Sequence, residues 1–253
     1  MKLTIIGCAG SYPGPDSPAS CYLIQAPFEG RTFSLVLDLG NGALGGLQRV
    51  MDLRDVDSVA ISHLHPDHCL DMCGFYVVHK YHPKGTLPNI PVFAPAGAGK
   101  YLATAYGDGD GAGMTEQFDF TEWEPSEPVQ MGPFTVTAVL VDHPVAAYAI
   151  KVSDGTSTLV YSGDTGPTEV LAELVDGVEA FLCEASFVES AVNPPNLHLT
   201  GAEAGKYATR GDIGQLLITH IPAWTSRDEV LSDAKSTWDG PLELVTAGST
   251  FDI

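Results

Sequence analysis

Hydrophobic residues along this chain fall into short runs that are bounded by Gly, Pro, Asn and Asp. Runs of this length that are rich in Val, Ile and Leu are typical of buried β-strands. The pattern predicts strands over 3–6, 21–24, 33–37, 57–61, 90–94, 134–141, 147–152, 158–161, 180–183, 215–219 and 242–245.

Segments with helical character alternate with these runs. Thr200 with Glu203 and Ser226 with Glu229 have the spacing of a capping box, in which the first side chain accepts a backbone N–H of the opening helical turn. The predicted helices are 43–51, 69–81, 97–106, 167–175, 200–209 and 226–236.

The alternation of strands and helices predicts an α/β fold. We find no repeat and no linker, and therefore expect a single domain over 1–253. The segment 79–85 is predicted to be a surface loop in which His79 and His82 are solvated. The segment 107–111 is predicted to be a flexible acidic loop, because it lacks the closing Glu of a calcium-binding EF-hand loop.

Composition narrows the function classes. The chain has 253 residues, is 44% hydrophobic, and carries 32 acidic against 12 basic residues, a formal charge of −20. So negative a surface disfavours a stable complex with nucleic acid or an anionic membrane, although metal ions can reverse the field locally for a small anion. Without a membrane-length apolar run or a signal-peptide pattern, we expect a cytoplasmic protein. The scattered cysteines, expected to be reduced, are Cys8, Cys21, Cys69, Cys73 and Cys183.

One short segment concentrates metal-binding chemistry. His63, His65, Asp67 and His68 lie within six positions, directly after the predicted strand 57–61. Imidazole nitrogen and carboxylate oxygen are the usual ligands of zinc and related divalent ions. His63 and His65 are two positions apart and point the same way on extended backbone, whereas Asp67 and His68 follow a proline and can face a second point.

Three more predicted strands end at residues that can bind a metal, namely His143, Asp164 and His220. Strand carboxyl ends in α/β folds gather ligands at one edge of a sheet. The residues divide into two sets that Asp164 would bridge. The first set is His63, His65 and His143, and the second is Asp67, His68 and His220. We therefore predict two divalent ions, with Zn²⁺ as the first choice and Mn²⁺ or Fe²⁺ as alternatives.

These motifs resemble those of the metallo-β-lactamase superfamily. The resemblance implies an αββα four-layer sandwich, with two mixed β-sheets back to back and helices on both outer faces. Glu184-Ala185-Ser186 and His198-x-Thr200 further resemble the tRNase Z-like phosphodiesterase branch, which implies that His198 lies beside the scissile phosphate and donates a proton or a hydrogen bond. Glu184 either orients His198 or is simply an acid at a strand end.

The chain departs from true tRNase Z between the third His and the bridging Asp. That family inserts a long tRNA-binding arm there, whereas Asp164 follows His143 by only 21 positions. Segments around Ser17, Thr200 and Trp224 resemble the atypical class II cyclic-nucleotide phosphodiesterases of actinobacteria. These three residues are candidate substrate contacts, with Trp224 either stacking on a base or packing normally. The resemblance also suggests a homodimer.

The leading hypothesis is that a metal-bound hydroxide hydrolyses a small phosphodiester such as 3′,5′-cyclic AMP to the 5′-monophosphate. Asp67 would position the hydroxide, and His198 would steady the developing charge or protonate the departing oxygen. One alternative is a tRNA 3′-end endonuclease, which needs a basic groove. Another is a thioester or lactam hydrolase, in which His198 is idle. A third is a non-catalytic binding protein, which the complete ligand set argues against.

Overall fold

The computed structural model describes residues 1–108 and 113–253, and its strands form two seven-stranded sheets. The first sheet contains β1 (Lys2–Gly7), β2 (Cys21–Phe28), β3 (Arg31–Leu37), β4 (Ser58–Ala60), β5 (Ile90–Ala94), β6 (Phe118–Glu122) and β14 (Thr250–Asp252). The second sheet contains β7 (Pro128–Met131), β8 (Phe134–Val141), β9 (Ala147–Ser153), β10 (Thr158–Tyr161), β11 (Ala180–Glu184), β12 (Gln215–Thr219) and β13 (Leu242–Leu244).

Helices connect the strands, and a short 3-10 helix spans Leu53–Asp55. The helices are α1 (Ala43–Leu47), α2 (Pro66–Cys69), α3 (Met72–Tyr81), α4 (Ala98–Tyr106), α5 (Glu169–Leu174), α6 (Gly201–Gly211) and α7 (Arg227–Lys235). The predicted capping box of α6 is present, since Thr200 accepts from Glu203 N and Glu203 accepts from Thr200 N. At the start of α7, the Ser226 side chain accepts from Glu229 N.

Both sheets are mixed and have the same pattern of pairing. The first has the order β14-β1-β2-β3-β4-β5-β6, with three antiparallel pairings followed by three parallel ones. The second, in the order β7-β8-β9-β10-β11-β12-β13, repeats that sequence of pairings. The parallel strands of each half bring their carboxyl ends to one edge of their sheet.

Three hydrophobic clusters define the layers. The central cluster lies between the sheets and joins β1, β2 and β3 to β8, β9 and β10. The second covers the opposite face of the first sheet with α1, α3 and α4, and the third covers the opposite face of the second sheet with α5, α6 and α7. A sheet buried on both faces needs a helical layer outside it, which accounts for the runs of uninterrupted apolar residues. The αββα prediction is therefore confirmed.

The eleven predicted strands are present, but β6, β7 and β14 were not predicted. All three are edge strands of their sheets. An edge strand is paired on one side only and keeps polar side chains, so its apolar run is short or broken. The burial of β6 and β7 shows this, since each has a single buried position at one end and exposed or half-buried positions along the rest.

Two local predictions need correction. The predicted helix 69–81 is two helices, α2 and α3, with α2 already beginning at Pro66. The prediction that His79 is a solvated loop residue is wrong, because α3 continues to Tyr81 and buries His79 against Phe75 and Phe118. A basic residue near a helix end can still lie on the inner face, which composition alone does not reveal.

The predicted acidic loop 107–111 lies mostly outside the described residues. Gly107 ends α4 in the left-handed conformation that glycine adopts without strain. All five cysteines are free thiols, with Cys73 half-buried and the others buried. No helix within residues 1–108 and 113–253 has the length and hydropathy needed to cross a membrane.

Candidate metal centre

Four donor side chains lie in the turn that follows β4 and opens α2. His63 comes three positions after the end of β4, and His65 is the N-cap residue of α2. Pro66 occupies the first helical position, where its missing N–H costs nothing, and Asp67 and His68 follow within the helix. The change of direction predicted at Pro66 is thus the start of a helix.

Three more donors follow strands of the second sheet. His143 comes after β8, Asp164 after β10, and His220 directly after β12. The turn before Asp164 requires Gly163, because a Cβ there would lie 2.5 Å from the carbonyl oxygen of Tyr148. Because Gly163 packs against the Tyr148 backbone, the chain turns sharply there, and the Asp164 carboxylate faces the donors that follow the first sheet.

The first predicted set converges on one point. The ligating atoms of His63, His65, His143 and Asp164 lie within 4.8 Å of one another. Nδ1 of His65 is 3.0 Å from Nε2 of His63 and 3.3 Å from Nε2 of His143. Oδ2 of Asp164 lies 3.7 Å from Nε2 of His63. Ligands at 2.0–2.1 Å from a tetrahedral zinc ion are separated by about 3.3 Å, so this spacing suits a metal.

The second predicted set converges on a neighbouring point. Nε2 of His68 and Nε2 of His220 are 3.1 Å apart, and Oδ2 of Asp67 is 3.2 Å from the His220 nitrogen. The other oxygen of Asp164, Oδ1, is 3.2 Å from His68 and 3.4 Å from His220. Asp164 therefore presents one oxygen to each set, as a bridging carboxylate does.

Two observations show that these residues fit divalent cations. Asp164 Oδ1 is buried, and within residues 1–108 and 113–253 no hydrogen bond satisfies it. In the first set, Nδ1 of His143 donates to the carbonyl oxygen of Leu197 at 2.9 Å, which leaves the lone pair on Nε2 directed at the neighbouring imidazoles. Buried lone pairs that face one another are unfavourable unless a cation lies between them.

The electrostatics of the two sets differ. Burial lowers the pKa of His63 well below its usual value. His63 is therefore neutral, which is the form of histidine that binds metals. Burial also opposes charge on His68, but Asp164 and Asp38 outweigh it and raise the pKa of His68 well above its usual value. The second point therefore has a strongly negative field that favours a bound cation.

The imidazoles are oriented by hydrogen bonds from behind. Nδ1 of His68 donates to Asp38 Oδ2 at 2.7 Å, and Nδ1 of His220 lies 2.9 Å from the Ser186 hydroxyl. Asp38 is fully buried and also accepts from Ser62 N, the Ser62 hydroxyl and the Tyr161 hydroxyl. Such partners fix the tautomer and the direction of a metal-binding histidine.

A further histidine lies at the rim of the centre. Nδ1 of His198 donates to Glu184 Oε1 at 2.8 Å and lies 3.9 Å from Asp164 Oδ2. Burial opposes charge on His198, but Glu184 outweighs it and raises the pKa of His198 to about 9. Glu184 is fully buried and is held by Thr165 N and the Ser186 hydroxyl. Of the two roles predicted for Glu184, the geometry favours orienting His198, since the buried carboxylate accepts a hydrogen bond from Nδ1 of that histidine.

Comparisons with known proteins show the family to which the chain belongs. A family model described as "Beta-lactamase superfamily domain" matches residues 35–221. Over 257 aligned positions the chain is 46% identical to the uncharacterized protein ML1173 of Mycobacterium leprae, covering 100% of this chain and 89% of the relative. The chain belongs to the metallo-β-lactamase superfamily.

Two other proteins extend the comparison. The probable metallo-hydrolase YhfI of Bacillus subtilis is 28% identical over the full length of both chains. Its crystal structure matches with a TM-score of 0.87 and 25% identity over 99% of each chain. The human short-form tRNase Z matches with a TM-score of 0.78 at 17% identity, over 100% of this chain and 99% of that one, and shows the shared fold. The protein is thus a metallo-hydrolase of this fold, with a histidine and aspartate cluster that fits divalent metals.

The three predicted substrate contacts have different surroundings in this superfamily member. Ser17 lines a cavity near His220, and its hydroxyl bonds to Cys8 N and Pro18 O. The Thr200 hydroxyl is buried and caps α6. Trp224 is 70% exposed. The contact of each with a substrate stays a prediction.

Sequence reasoning did not identify Asp38, Tyr161 or the role of Ser186. Asp38 directly follows β3, and it adopts a positive φ of 55°, which is uncommon outside glycine. An acidic residue at the end of an apolar strand was therefore a usable signal, and the same signal had already identified Asp164.

Proposed function

We propose that this protein is a metal-dependent phosphodiesterase that hydrolyses a small nucleotide phosphodiester such as 3′,5′-cyclic AMP to the 5′-monophosphate. The observation that carries the proposal is the His198–Glu184 pair beside the two-metal cluster. A lactam or thioester hydrolase of this fold has no need of such a pair, whereas phosphodiester cleavage has to protonate a poor alkoxide leaving group.

The residues divide the work as follows. His63, His65 and His143 would hold one divalent ion, and Asp67, His68 and His220 would hold the other, with Asp164 shared between them. Such ions, when bound, make water more acidic and neutralise the charge of the phosphate oxygens. Zn²⁺ suits the three-histidine set, and Mn²⁺ or Fe²⁺ also accepts mixed nitrogen and oxygen ligands.

The chain's own groups then guide the protons. The attacking water gives up one proton to bulk solvent, and Asp67 accepts a hydrogen bond from the hydroxide that remains and directs its oxygen at phosphorus. As the new P–O bond forms and the bond to the 3′-oxygen breaks, the proton on Nε2 of His198 passes to that oxygen. Glu184 keeps Nδ1 of His198 as a donor, so that Nε2 is the nitrogen facing the substrate.

The charge around the centre supports a small substrate. A cavity of about 330 Å³ beside His198 is lined by Glu189 and Glu203, both within hydrogen-bond distance of the Thr200 hydroxyl. Carboxylates at this position repel the further phosphates that a polynucleotide would bring. The net charge of −20 acts in the same direction.

A panel of phosphodiesters tests the proposal directly. Protein loaded separately with Zn²⁺, Mn²⁺ or Fe²⁺ is incubated with cyclic AMP, a linear dinucleotide, precursor tRNA and a β-lactam, and products are separated by chromatography. We expect conversion of cyclic AMP to 5′-AMP and none of the lactam. Cleavage of precursor tRNA alone, with strong dependence on salt, would establish the endonuclease alternative and overturn the proposal.

A further inference from the structure

Two aromatic side chains, the half-buried Tyr12 and the exposed Trp224, contact each other on loops that adjoin His220. The ring centroids of Tyr12 and Trp224 are 4.7 Å apart with an interplanar angle of 34°. Trp224 is 70% exposed, while the other two tryptophans use their indole N–H groups internally. Trp123 donates to Ile61 O and Trp238 to Pro241 O. Trp224 thus lacks the packing role that its counterparts have.

Both members of the pair are anchored to a predicted metal ligand. The Gly10–Tyr12 turn lies directly against His220, since a Cβ on Gly10 would be 2.4 Å from the His220 carbonyl oxygen. The backbone N–H of Ser11 points at Nε2 of His220 from 3.5 Å. Trp224 follows His220 by four positions, and its loop returns through Thr225, whose hydroxyl donates to Ser186 O.

The residues that hold the two aromatic loops in place therefore also hold the candidate metal ligand His220. Ser186 orients His220 and also holds the loop that carries Trp224. The N–H of Ile221 donates to Cys8 O, which ties that loop to the segment that carries Tyr12. An aromatic surface on two loops that are both tied to His220 is suited to a ligand with a flat apolar part.

We infer that the Tyr12–Trp224 pair is a stacking platform for the planar base of the substrate. The inference rests on the proposed function, and it restricts the substrate class to phosphodiesters that carry a heteroaromatic ring. Stacking is tolerant of base identity because every base has a π-face. The platform therefore selects for the presence of a base, and the metal cluster for the phosphodiester.

The test compares two substrates that differ only in the base. Cyclic AMP is one, and the base-free methyl riboside 3′,5′-cyclic phosphate is the other. For Trp224→Ala we expect the ratio of kcat/KM values, cyclic AMP over base-free substrate, to fall about 5- to 100-fold, the range for loss of one base stack. Tyr12→Ala should lower it less, and Trp224→Phe should retain most of it.

Tyr81→Ala is the matched control, because Tyr81 is an aromatic residue 62% exposed at the end of α3, outside the platform. Its ratio should equal that of the wild type. If Trp224→Ala lowers kcat/KM for both substrates equally, or for neither, the platform is overturned. A change of the variant's molecular mass by light scattering, with both substrates affected equally, would make the pair a contact between copies and also overturn it.

A binding measurement separates this inference from the proposed function. Tryptophan emission is followed while 5′-AMP or ribose 5-phosphate is added to wild type and Trp224→Phe. Quenching by 5′-AMP alone, lost in the variant, supports the platform even if no phosphodiester in the panel is hydrolysed. Hydrolysis of cyclic AMP without such quenching upholds the function and overturns the platform.

Discussion

The two sheets have the same order of pairings but contribute to the metal centre in different ways. The first supplies four donors from one turn after β4. The second supplies three donors from three strand ends that are far apart in sequence, together with the His198–Glu184 pair. One half of the centre is therefore a local motif, and the other half exists only once the second sheet has formed.

Equivalent strands of the two halves make the difference clear. β3 and β10 hold the same place in their sheets, where antiparallel pairing changes to parallel, and each is followed by an aspartate. Asp38 accepts four hydrogen bonds and positions His68. Asp164 faces both sets of donors, and one of its oxygens is buried without a hydrogen bond from any residue that the structure describes. An aspartate one residue after β3 thus orients a ligand, and an aspartate three residues after β10 faces both sets of donors.

The serines two positions after β4 and β11 repeat the relationship. Ser62 contacts His63 and Asp38, and Ser186 contacts His220 and Glu184. In each half a hydroxyl links a candidate ligand to a buried carboxylate. Fixed orientation of the ligands is therefore a property of the strand ends, whichever residue binds the metal.

The largest effect is expected from the residue that serves both metal sets. Asp164→Asn replaces one bridging oxygen by an amide and removes the charge that balances two cations. We expect the metal content to fall by at least one ion per chain and kcat/KM for a phosphodiester to drop to the level of metal-free protein. Mass spectrometry of bound metal and steady-state kinetics measure the two quantities.

Asp142→Asn is the control for that change, because Asp142 is an exposed carboxylate close in sequence to a candidate ligand. It should bind two metals and retain activity. Full metal content in Asp164→Asn would show that Asp164 does not bridge, and the contrast between an orienting Asp38 and a ligating Asp164 would then fail.

The second largest effect concerns the pair that only the second half contains. His198→Ala should lower kcat about 10²- to 10⁴-fold, the usual contribution of a positioned acid or base, while both metals stay bound. Glu184→Gln should lower kcat by a smaller factor with KM nearly constant, because the amide oxygen still accepts the hydrogen bond from His198 but binds the ring less strongly than a carboxylate does.

A phosphodiester with a good leaving group supplies the discriminating readout for this pair. A p-nitrophenyl ester needs little protonation, so both variants should recover most activity on it. An equal loss on both ester types would mean that the two residues act through structure alone. Unchanged hydrolysis of cyclic AMP by His198→Ala would favour the lactam or thioester alternative.

The sequence was sufficient for the half of the centre that is local. His63, His65, Asp67 and His68 stand together, and the strand ends pointed to the remaining ligands. Asp38 was not predicted because its function depends on hydrogen bonds with His68, 30 positions away in sequence, and with Tyr161 in the other sheet. Edge strands and buried His79 were missed for a related reason, since their environment is decided by partners distant in sequence.

A smaller effect is expected at Asp38, the counterpart of Asp164. Asp38→Asn replaces one acceptor oxygen by an NH₂ donor, although all four partners of this side chain are themselves donors. We expect the change to weaken binding of the second metal about 10- to 100-fold. The free energy of unfolding should fall by about 1–3 kcal/mol because of the unpaired buried groups. Metal titration with a competing chelator and urea unfolding of the metal-free protein measure the two effects.

Asp57→Asn separates the two effects. Asp57 lies just before β4, at the other end of that strand, and accepts from Ser34 N and Arg31. Its loss should reduce stability by about 1 kcal/mol and leave metal affinity as in the wild type. If both variants weaken the metal equally, Asp38 acts through stability and not by orienting His68.

The smallest expected effect is on stability, and it compares the equivalent hairpins β2–β3 and β9–β10 at the end of the sheets opposite the metal centre. Thr156 N and Ser157 N donate to Asp154 Oδ1 at 2.9 Å, and although burial opposes the charge, these bonds lower the pKa of Asp154. Glu29 at the β2–β3 turn is exposed. A lowered folded-state pKa gives stability that is complete above the unfolded value of about 3.9 and is lost as the pH falls further.

Asp154→Asn should therefore be less stable than the wild type at pH 7 by about 1 kcal/mol, because the carboxylate also forms an ion pair with the Met1 ammonium at 3.0 Å. The gap should narrow as the pH falls below about 4, where the wild-type carboxylate takes up its proton. Glu29→Gln should match the wild type throughout. Urea unfolding at a series of pH values measures both, and a gap for Asp154→Asn that stays constant or widens in acid would show that the hairpin gains nothing from the charge.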